Sequence, residues 1–121
     1  MATIGAIGWL DLTVDDAETT RSFYEQVIWW TSAPVSMGDY DDHVVHDSEG
    51  NAVAGICHRR GPNSHLPPAW LPYVNVESLD AALEKVVTLG GAVLDGPKDA
   101  GDIRYAIIRD PAGAFLAIAS P

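Results

Sequence analysis

Two residues of this sequence have the side chains of an acid–base pair, the carboxylate of Asp11 and the imidazole of His58. A carboxylate beside an imidazole can orient the ring and raise its pKa, which suits the ring to act as a general base. The competing interpretation places His58 at an exposed strand end beside Arg59 and Arg60. Both interpretations are open until the elements that carry the two side chains are known.

Metal and thiol chemistry have fewer candidates. His43 and His46 point to opposite faces if they lie on one strand, because strand side chains alternate. A loop metal site formed by Asp41, His43 and Asp47 is the alternative to a charged, solvated edge strand. The single cysteine, Cys57, excludes an intramolecular disulfide and a four-thiolate zinc site. Its apolar neighbours predict a buried, unreactive thiol.

The composition limits the classes of function. The 121 residues are 47% hydrophobic, and 7 Lys and Arg stand against 17 Asp and Glu, giving a formal charge of −10. This length fits one domain, and this charge repels phosphate, so neither nucleic acid nor an anionic membrane is expected as a partner. No apolar run reaches the roughly 18 residues of a spanning helix, and the first residues lack the positive region of a secretion signal. We therefore expect a cytoplasmic protein.

The elements that must position these residues come from one short module that occurs twice. The pattern Val14–Glu18 opens a helix and recurs as Val76–Asp80. The turn and strand of Asp47–Ala54 recur as Asp110–Ala117 at nearly the same offset. Such self-similarity at a fixed period indicates a repeated structural unit.

Each module is predicted as a strand, a helix and three shorter strands. The modules cover about 3–60 and 70–121, and the linker 61–69 contains the pair Pro67-Pro68, which neither a helix nor a central strand tolerates. The predicted strands lie near 9–14, 33–37, 42–46, 52–59, 71–76, 92–94, 104–109 and 114–119, with turns that include Gly96-Pro97. The predicted helix faces are Phe23, Tyr24, Val27 and Ile28, then Leu79, Leu83, Val86 and Leu89, with N-caps at Asp15 or Asp16 and at Ser78.

In this order of elements the sequence resembles the vicinal-oxygen-chelate superfamily, which comprises glyoxalases, bleomycin resistance proteins and extradiol dioxygenases. The resemblance rests on Leu12–Asp16, on Ser22–Tyr24 and Val27–Trp30 behind it, and on Asp110–Gly113 before the last strand. It implies an α+β fold in which two βαβββ modules form a curved mixed sheet that cups a ligand site. It also implies a homodimer, and for Trp29-Trp30 either packing of helix on sheet or a dimer contact.

Enzymes of that superfamily hold a divalent metal with one residue on the first and one on the last strand of each module. These positions fall on Trp9, Ala54, Leu71 and Ala117. Indole and alkyl side chains offer no lone pair to such a cation. The resemblance thus implies the fold without its metal chemistry, and no cofactor is predicted.

Strand alternation and the resemblance together predict the lining of the cup. Arg104 could anchor a carboxylate of the ligand, and Asp11 brings a charge into apolar surroundings, which is costly unless it is paired or solvated. The predicted ligand-binding residues are Trp9, Asp11, Ile56, His58, Leu71, Tyr73, Asn75, Arg104 and Phe115. The alternative is that Trp9, Leu71 and Phe115 fill the cup as core.

Two functions from different classes follow. The first is a metal-free protein that holds a small, flat or partly apolar molecule in the cup. The second is a lyase or dioxygenase-type enzyme that uses Asp11 and His58, or displaced metal ligands. A structural or regulatory partner domain is a third alternative.

Overall fold

The computed structural model describes residues 3–60 and 64–121, so residues 61–63 of the predicted linker lie outside the described part. The described elements are β1 (Ile7–Val14), α1 (Ala17–Ile28), β2 (Thr31–Ser36), β3 (Asp41–His46), β4 (Ala52–His58), β5 (Trp70–Asn75), α2 (Leu79–Thr88), β6 (Ala92–Ala100), β7 (Ile103–Arg109) and β8 (Phe115–Ser120). The α+β class and the repeated order of a strand, a helix and three strands are confirmed.

The chain divides into two compact units. The first unit is Leu10–Trp70, and the second unit is the chain up to Trp9 together with Leu71–Pro121. Within the second unit, the Gly5 amide donates to the Asn75 carbonyl at 2.7 Å, and the Asn75 amide donates to the Ala6 carbonyl at 2.9 Å. The segment before Leu10 therefore belongs with the elements of the second predicted module.

The first unit contains a four-stranded sheet in the order β2-β3-β4-β1, with β1 parallel to β4 and the other pairs antiparallel. Asp16 caps α1, because its carboxylate accepts a hydrogen bond from the Thr19 amide at 3.0 Å. The core beneath the helix consists of Ala17, Val45, Ala54 and Ile56.

The predicted apolar face of α1 is only partly buried. Phe23, Val27 and Ile28 are exposed, with Phe23 at 56%, so for these three the expectation of burial was wrong. The helix contacts the core through Ala17 and Tyr24 instead, and Tyr24 packs against Trp30 and Trp70 with ring centroids 5.7 and 5.5 Å away.

The tryptophan pair after α1 divides between two environments. Trp30 packs in the aromatic cluster with Tyr24 and Trp70, and the Trp70 indole donates to the Tyr24 hydroxyl at 3.2 Å. Trp29 ends the helix in the left-handed conformation with φ 59° and is 82% exposed. Helix-to-sheet packing is thus correct for Trp30 and wrong for Trp29.

The second unit repeats the plan with the strand order β5-β8-β7-β6, in which β5 is parallel to β8. Its core contains Leu79, Ala106, Ile108 and Ile118, with Leu83 and Val86 packed against it. Leu89 was expected in the same face but is 70% exposed, because it follows the last turn of α2. Among the described residues, neither helix is long and apolar enough to cross a membrane.

β6 is longer than predicted because the Gly96-Pro97 pair forms an irregularity inside the strand rather than a turn after it. The pairing with β7 shifts between Val93 and Asp95 and again between Asp95 and Lys98. Gly96 has φ +98°, and a Cβ there would lie 2.8 Å from the Tyr105 carbonyl oxygen. Only glycine combines this conformation with this close approach.

The repeated turns have the same hydrogen bonds in both units. The Asp47 carboxylate accepts from the amides of Glu49 and Asn51, both at 2.9 Å. The Asp110 carboxylate accepts from the amides two and four residues on, at 2.8 and 3.0 Å. The amide and side-chain hydrogen bonds of Asn51 hold the pKa of Asp47 below its ordinary value. The duplication seen in the sequence therefore reflects one local structure used twice.

The cap of α2 provides a first prediction. The Ser78 hydroxyl accepts from the Ala81 amide at 3.2 Å. Replacing Ser78 with alanine should lower the free energy of unfolding by about 1 kcal/mol, because an amide at the helix start loses its partner. Urea denaturation followed by circular dichroism measures the change. Ser48→Ala, in an exposed turn, is the control and should change the value by less than about 0.5 kcal/mol; equal losses in both variants would contradict the capping role.

Candidate functional site

Each unit's sheet has one face packed against its helix, the helix face, and an opposite face, the distal face. In the first unit Leu12 pairs with Ile56, and Asp11 with Gly55. Because Ile56 belongs to the core beneath α1, Asp11, Thr13, Gly55 and Cys57 belong to the distal face. In the second unit Ile118 and Leu116 pack toward α2, which leaves the alternate residues of β8 on the distal face.

The distal face of the second unit carries two tyrosines. Tyr73 on β5 pairs with Ala117, and Tyr105 on β7 pairs with Ala119. The ring centroids of the tyrosines are 5.6 Å apart, and both alanines are buried. Since alanine extends little above a sheet, the two rings stand over a low floor. Leu71 and Phe115 occupy alternate positions on the same face, where Leu71 is buried as core, the alternative considered for it, and Phe115 is exposed.

Asn75 was predicted to bind the ligand, and its side chain ties down the segment before β1. Its amide nitrogen donates to the Thr3 carbonyl at 3.2 Å. A Cβ on Gly8 would lie 3.2 Å from the side-chain oxygen of Asn75, so the absence of a side chain at Gly8 permits the close approach of Asn75. Trp9, one residue further along β1, is half-buried.

The distal face of the first unit carries two carboxylates around a thiol. Thr13 pairs with Cys57 in the register of β1 and β4. The buried Asp42 carboxylate accepts from the His58 amide at 2.9 Å and also faces the Cys57 thiol. Burial, and then the charges of Asp11 and Asp42, raise the pKa of Cys57 well above its ordinary value. The thiol is therefore protonated at neutral pH, although Cys57 is half-buried and not fully buried as its apolar sequence neighbours predict.

The proposed acid–base pair does not come together. Val14 pairs with His58, so the imidazole lies on the helix-face side of the first unit while Asp11 lies on the distal face. The His58 ring packs against Tyr40 with centroids 5.5 Å apart, and its Nδ1 is 3.4 Å from the Asp15 carbonyl oxygen. The prediction that Asp11 and His58 share a face was wrong.

Ile56 was predicted to line the cup with His58, because the two residues alternate on β4. This prediction was wrong, since Ile56 is a fully buried core residue. The error arises at a β-bulge, because Val45 pairs with Ala54 but His46 with Ala52, which leaves Val53 as an extra residue. Counting four residues from the turn glycine Gly50 into β4 therefore reaches Ala54 on the helix face. The same count from Gly113 into β8 reaches Ala117 on the distal face, as expected.

Arg104 does not face the predicted ligand either. It alternates with Tyr105 on β7 and lies toward α2, with its guanidinium 3.6 Å from Asp80 and 3.9 Å from Asp99. Tyr105 takes the distal position instead. The pairing of β7 with β8 would have identified Tyr105, since a residue directly opposite Ala119 must lie on the same face as Ala119.

The bulge also changes which residue of β4 stands at a metal position of the superfamily that the sequence resembles. Ala54 lies on the helix face, and the first-unit residue opposite Asp11 on the distal face is Gly55. Glycine, like Trp9, Leu71 and Ala117, has no side-chain donor for a cation. The part of the chain that is described contains no group of three or more His, Cys, Asp or Glu placed to hold a metal. The residues present do not fit the metal of this fold family.

The histidine-rich strand β3 was considered as a loop metal site. His43 is buried on the helix-face side, with its Nε2 3.1 Å from a Glu18 carboxylate oxygen, whereas His46 lies on the opposite side. Asp47 is engaged in its own turn. The three residues Asp41, His43 and Asp47 therefore do not converge, and this segment is a strand as expected. The prediction of a solvated edge strand was wrong, because β3 lies between β2 and β4 and buries Asp42 and His43.

The family model of the glyoxalase/bleomycin resistance protein/dioxygenase superfamily matches residues 6–118. The chain is 32% identical over 120 residues to a putative glyoxylase, CFP32, of Mycobacterium bovis, covering 94% of this chain and 45% of that protein. It is 32% identical over 116 residues to the anthracycline biosynthesis protein DauV of Streptomyces sp. strain C5, covering 94% and 41%. The chain thus spans less than half the length of these relatives.

Solved structures share the fold. Methylmalonyl-CoA epimerase of Mycobacterium tuberculosis superposes with a TM-score of 0.61 at 15% identity, over 100% of this chain and 92% of that one. A superfamily member from Vibrio splendidus superposes with a TM-score of 0.61 at 10% identity, over 93% and 96%. At these identities the likeness concerns the fold alone.

Proposed function

Because this chain belongs to the glyoxalase/bleomycin resistance protein/dioxygenase superfamily, we propose that it binds a small, flat, partly apolar molecule without a metal ion. The observation that carries this proposal is the pair Tyr73 and Tyr105, with ring centroids 5.6 Å apart over the buried Ala117 and Ala119. A tyrosine offers a large apolar ring and a hydroxyl at its edge. Small-molecule sites commonly combine such apolar surfaces with a few polar groups.

The shape of the ligand is part of the proposal. Two adjacent, partly exposed rings favour a planar molecule over a branched one, since a flat surface can stack on aromatic rings. Relatives from Streptomyces are named for anthracycline biosynthesis, and anthracyclines contain a planar fused-ring core. This makes an anthraquinone a suitable probe. Phe115 lies on the same face, is exposed, and is proposed to extend the apolar contact.

The alternative enzyme is not favoured. An acid–base mechanism with Asp11 and His58 needs both groups within reach of one substrate atom, and they lie on opposite faces of the first unit's sheet. A metal-dependent lyase or dioxygenase needs donors that Trp9, Gly55 and Leu71 do not have.

We also propose that the protein is a cytoplasmic homodimer. The curated relatives are more than twice as long as this chain, which leaves room in each for a second domain of this size. Light scattering coupled to size-exclusion chromatography would distinguish a dimer from a monomer.

The binding test uses emodin, a three-ring anthraquinone, titrated into the purified chain with fluorescence as the readout. Tyr105→Leu and Tyr73→Leu should each weaken binding at least tenfold, because one stacking surface is lost while apolar volume remains. Tyr40→Leu is the matched control, since that ring packs on His58 and Arg60 in the first unit. The control should bind within about twofold of the original chain.

The same titration is repeated after EDTA treatment and after addition of Zn²⁺ or Mn²⁺. Unchanged affinity is expected, because the proposed contacts include no metal. Binding that disappears with EDTA, or affinity equal in all three tyrosine variants, would contradict the proposal.

A further inference from the structure

The second unit has an apolar cavity beside α2 that the proposed function does not use. Its volume is about 300 Å³, at the small end of the range of ligand pockets. The wall from α2 is formed by Ala82, Val86 and Leu89, which lie three to four residues apart and so share one stripe of the helix. Ile108 and the start of the turn after β7 line the other side. The exposed Leu89 is thus part of a cavity wall.

Gly91 brings the end of α2 close to the end of β7. Its amide donates to the Val86 carbonyl at 2.8 Å, and a Cβ on Gly91 would lie 2.8 Å from the Arg109 carbonyl oxygen. Only a residue without a side chain permits so close an approach. Lys85, which precedes Val86 on α2, and Arg109, which ends β7, therefore both line the cavity.

The two cations at the cavity are the observation that points to a ligand. Acidic residues outnumber Lys and Arg by 17 to 7 in this chain, so most cations have a carboxylate within reach. Ion pairs with carboxylates are formed by Arg21, Arg59, Arg60, Lys98 and Arg104. Within residues 3–60 and 64–121, Lys85 and Arg109 have no such partner. The cations that the chain leaves without a carboxylate are therefore the two that line one apolar cavity.

The remaining charge at the cavity does not neutralise them. Asp110 also lines it, but its carboxylate accepts from the amides of Ala112 and Ala114 at 2.8 and 3.0 Å, which hold it in its own turn. Two cations and one carboxylate give the lining a net positive charge, although the whole chain has a formal charge of −10. An anion is therefore attracted to this cavity and repelled by most of the remaining surface.

We propose that this cavity binds an amphipathic carboxylate, with its apolar body against the α2 wall and its carboxylate between the side chains of Lys85 and Arg109. A guanidinium can bind both oxygens of a carboxylate, and the ammonium group adds a point charge. The volume suits a short aliphatic chain better than a fused-ring molecule. The inference concerns another place and another ligand than the tyrosine pair, so it does not rest on the proposed function.

The experiment compares hexanoate with hexanol, which has the same chain length and no charge, by NMR titration of the ¹⁵N-labelled chain at pH 7. Hexanoate should bind saturably and shift the amides of Val86, Leu89 and Gly91, whereas hexanol should bind about tenfold more weakly. Lys85→Gln and Arg109→Gln should each weaken hexanoate about threefold and leave hexanol unchanged. Both side chains are exposed, so neither substitution disturbs the core.

Arg60→Gln is the matched control, because it removes the same charge from an exposed site in the first unit, where the guanidinium is 3.8 Å from Asp39. It should leave the hexanoate affinity within about 1.5-fold of the original. Ala82→Leu places a larger side chain in the cavity and should weaken both probes about threefold.

Equal affinity for hexanoate and hexanol, or an equal loss in all three charge variants, would overturn the inference. A hexanoate affinity that falls as the protein concentration rises would also overturn it, because a second copy of the chain would then be the occupant of the cavity. Emodin titrated into the chain saturated with hexanoate should bind with unchanged affinity, so the cavity and the tyrosine pair are tested separately.

Discussion

Replacing Ile56 with alanine is expected to lower the free energy of unfolding by about 3 kcal/mol, one of the two largest effects expected of this molecule. The side chain is fully buried and packs with Ala17, Val45 and Ala54 beneath α1. Removing three carbon atoms there forfeits their transfer free energy and leaves a cavity that the fixed sheet cannot close. Urea denaturation monitored by circular dichroism gives the change directly.

The result also decides whether Ile56 is a core residue or a ligand contact. Ile103→Ala, at the exposed start of β7, is the matched control and should cost less than about 1 kcal/mol. Ile56→Val, which shortens the side chain by one methylene, should cost about 1 kcal/mol and leave emodin affinity unchanged. A large loss of emodin affinity with little loss of stability would restore the interpretation of Ile56 as a ligand contact.

Alkaline pH is expected to destabilise the protein through Cys57. Burial and the charges of Asp11 and Asp42 raise the thiol pKa in the folded state, whereas the unfolded chain has the ordinary pKa of about 8.5. Below that pH both states hold the proton, and the contribution of the thiol to stability is fully present. Above it only the unfolded state releases the proton, so the free energy of unfolding falls by up to about 1.4 kcal/mol per pH unit.

The measurement compares the original chain with Cys57→Ala in urea between pH 7 and 10. Other groups titrate in both proteins, so the difference between their free energies of unfolding isolates the thiol. That difference should be constant up to about pH 8.5 and then decrease for the original chain relative to the variant. Iodoacetamide should also alkylate Cys57 slowly in the folded protein at pH 8, because the thiolate is the reactive form. Parallel stability curves together with fast alkylation would show that the raised pKa is wrong.

The Cys57 environment illustrates how the structure changes the meaning of the acidic composition. The sequence indicated one inward carboxylate, Asp11, and assigned Asp42 to a solvated edge strand. In the structure Asp42 is buried on β3 and reaches the His58 amide and the Cys57 thiol of the neighbouring strand β4. A contact between residues this far apart in the chain depends on strand pairing, which local pattern does not specify.

Much of the architecture could be predicted because its causes are local. The Asp47 and Asp110 turns, the Ser78 cap and the alternation in β1 each depend on residues within a few positions of one another. Their recurrence at a fixed offset predicted the duplicated module, and the four positions without metal donors were readable from residue type. The exposure of Phe23 and Leu89 was not predictable from sequence. The spacing of apolar residues in a helix does not specify how much of the helix the neighbouring sheet covers.

The sequence by itself determined the two modules, their helices and turns, and which side chains could do chemistry. The tertiary structure alone decided which of those side chains meet. An alternating strand has two equivalent phases, and a shift of one residue exchanges its faces. The extra residue Val53 makes that shift in β4, moving Ile56 and His58 to the helix face and bringing Cys57 beside Asp11, while the pairing of β7 with β8 puts Tyr105 rather than Arg104 next to Tyr73.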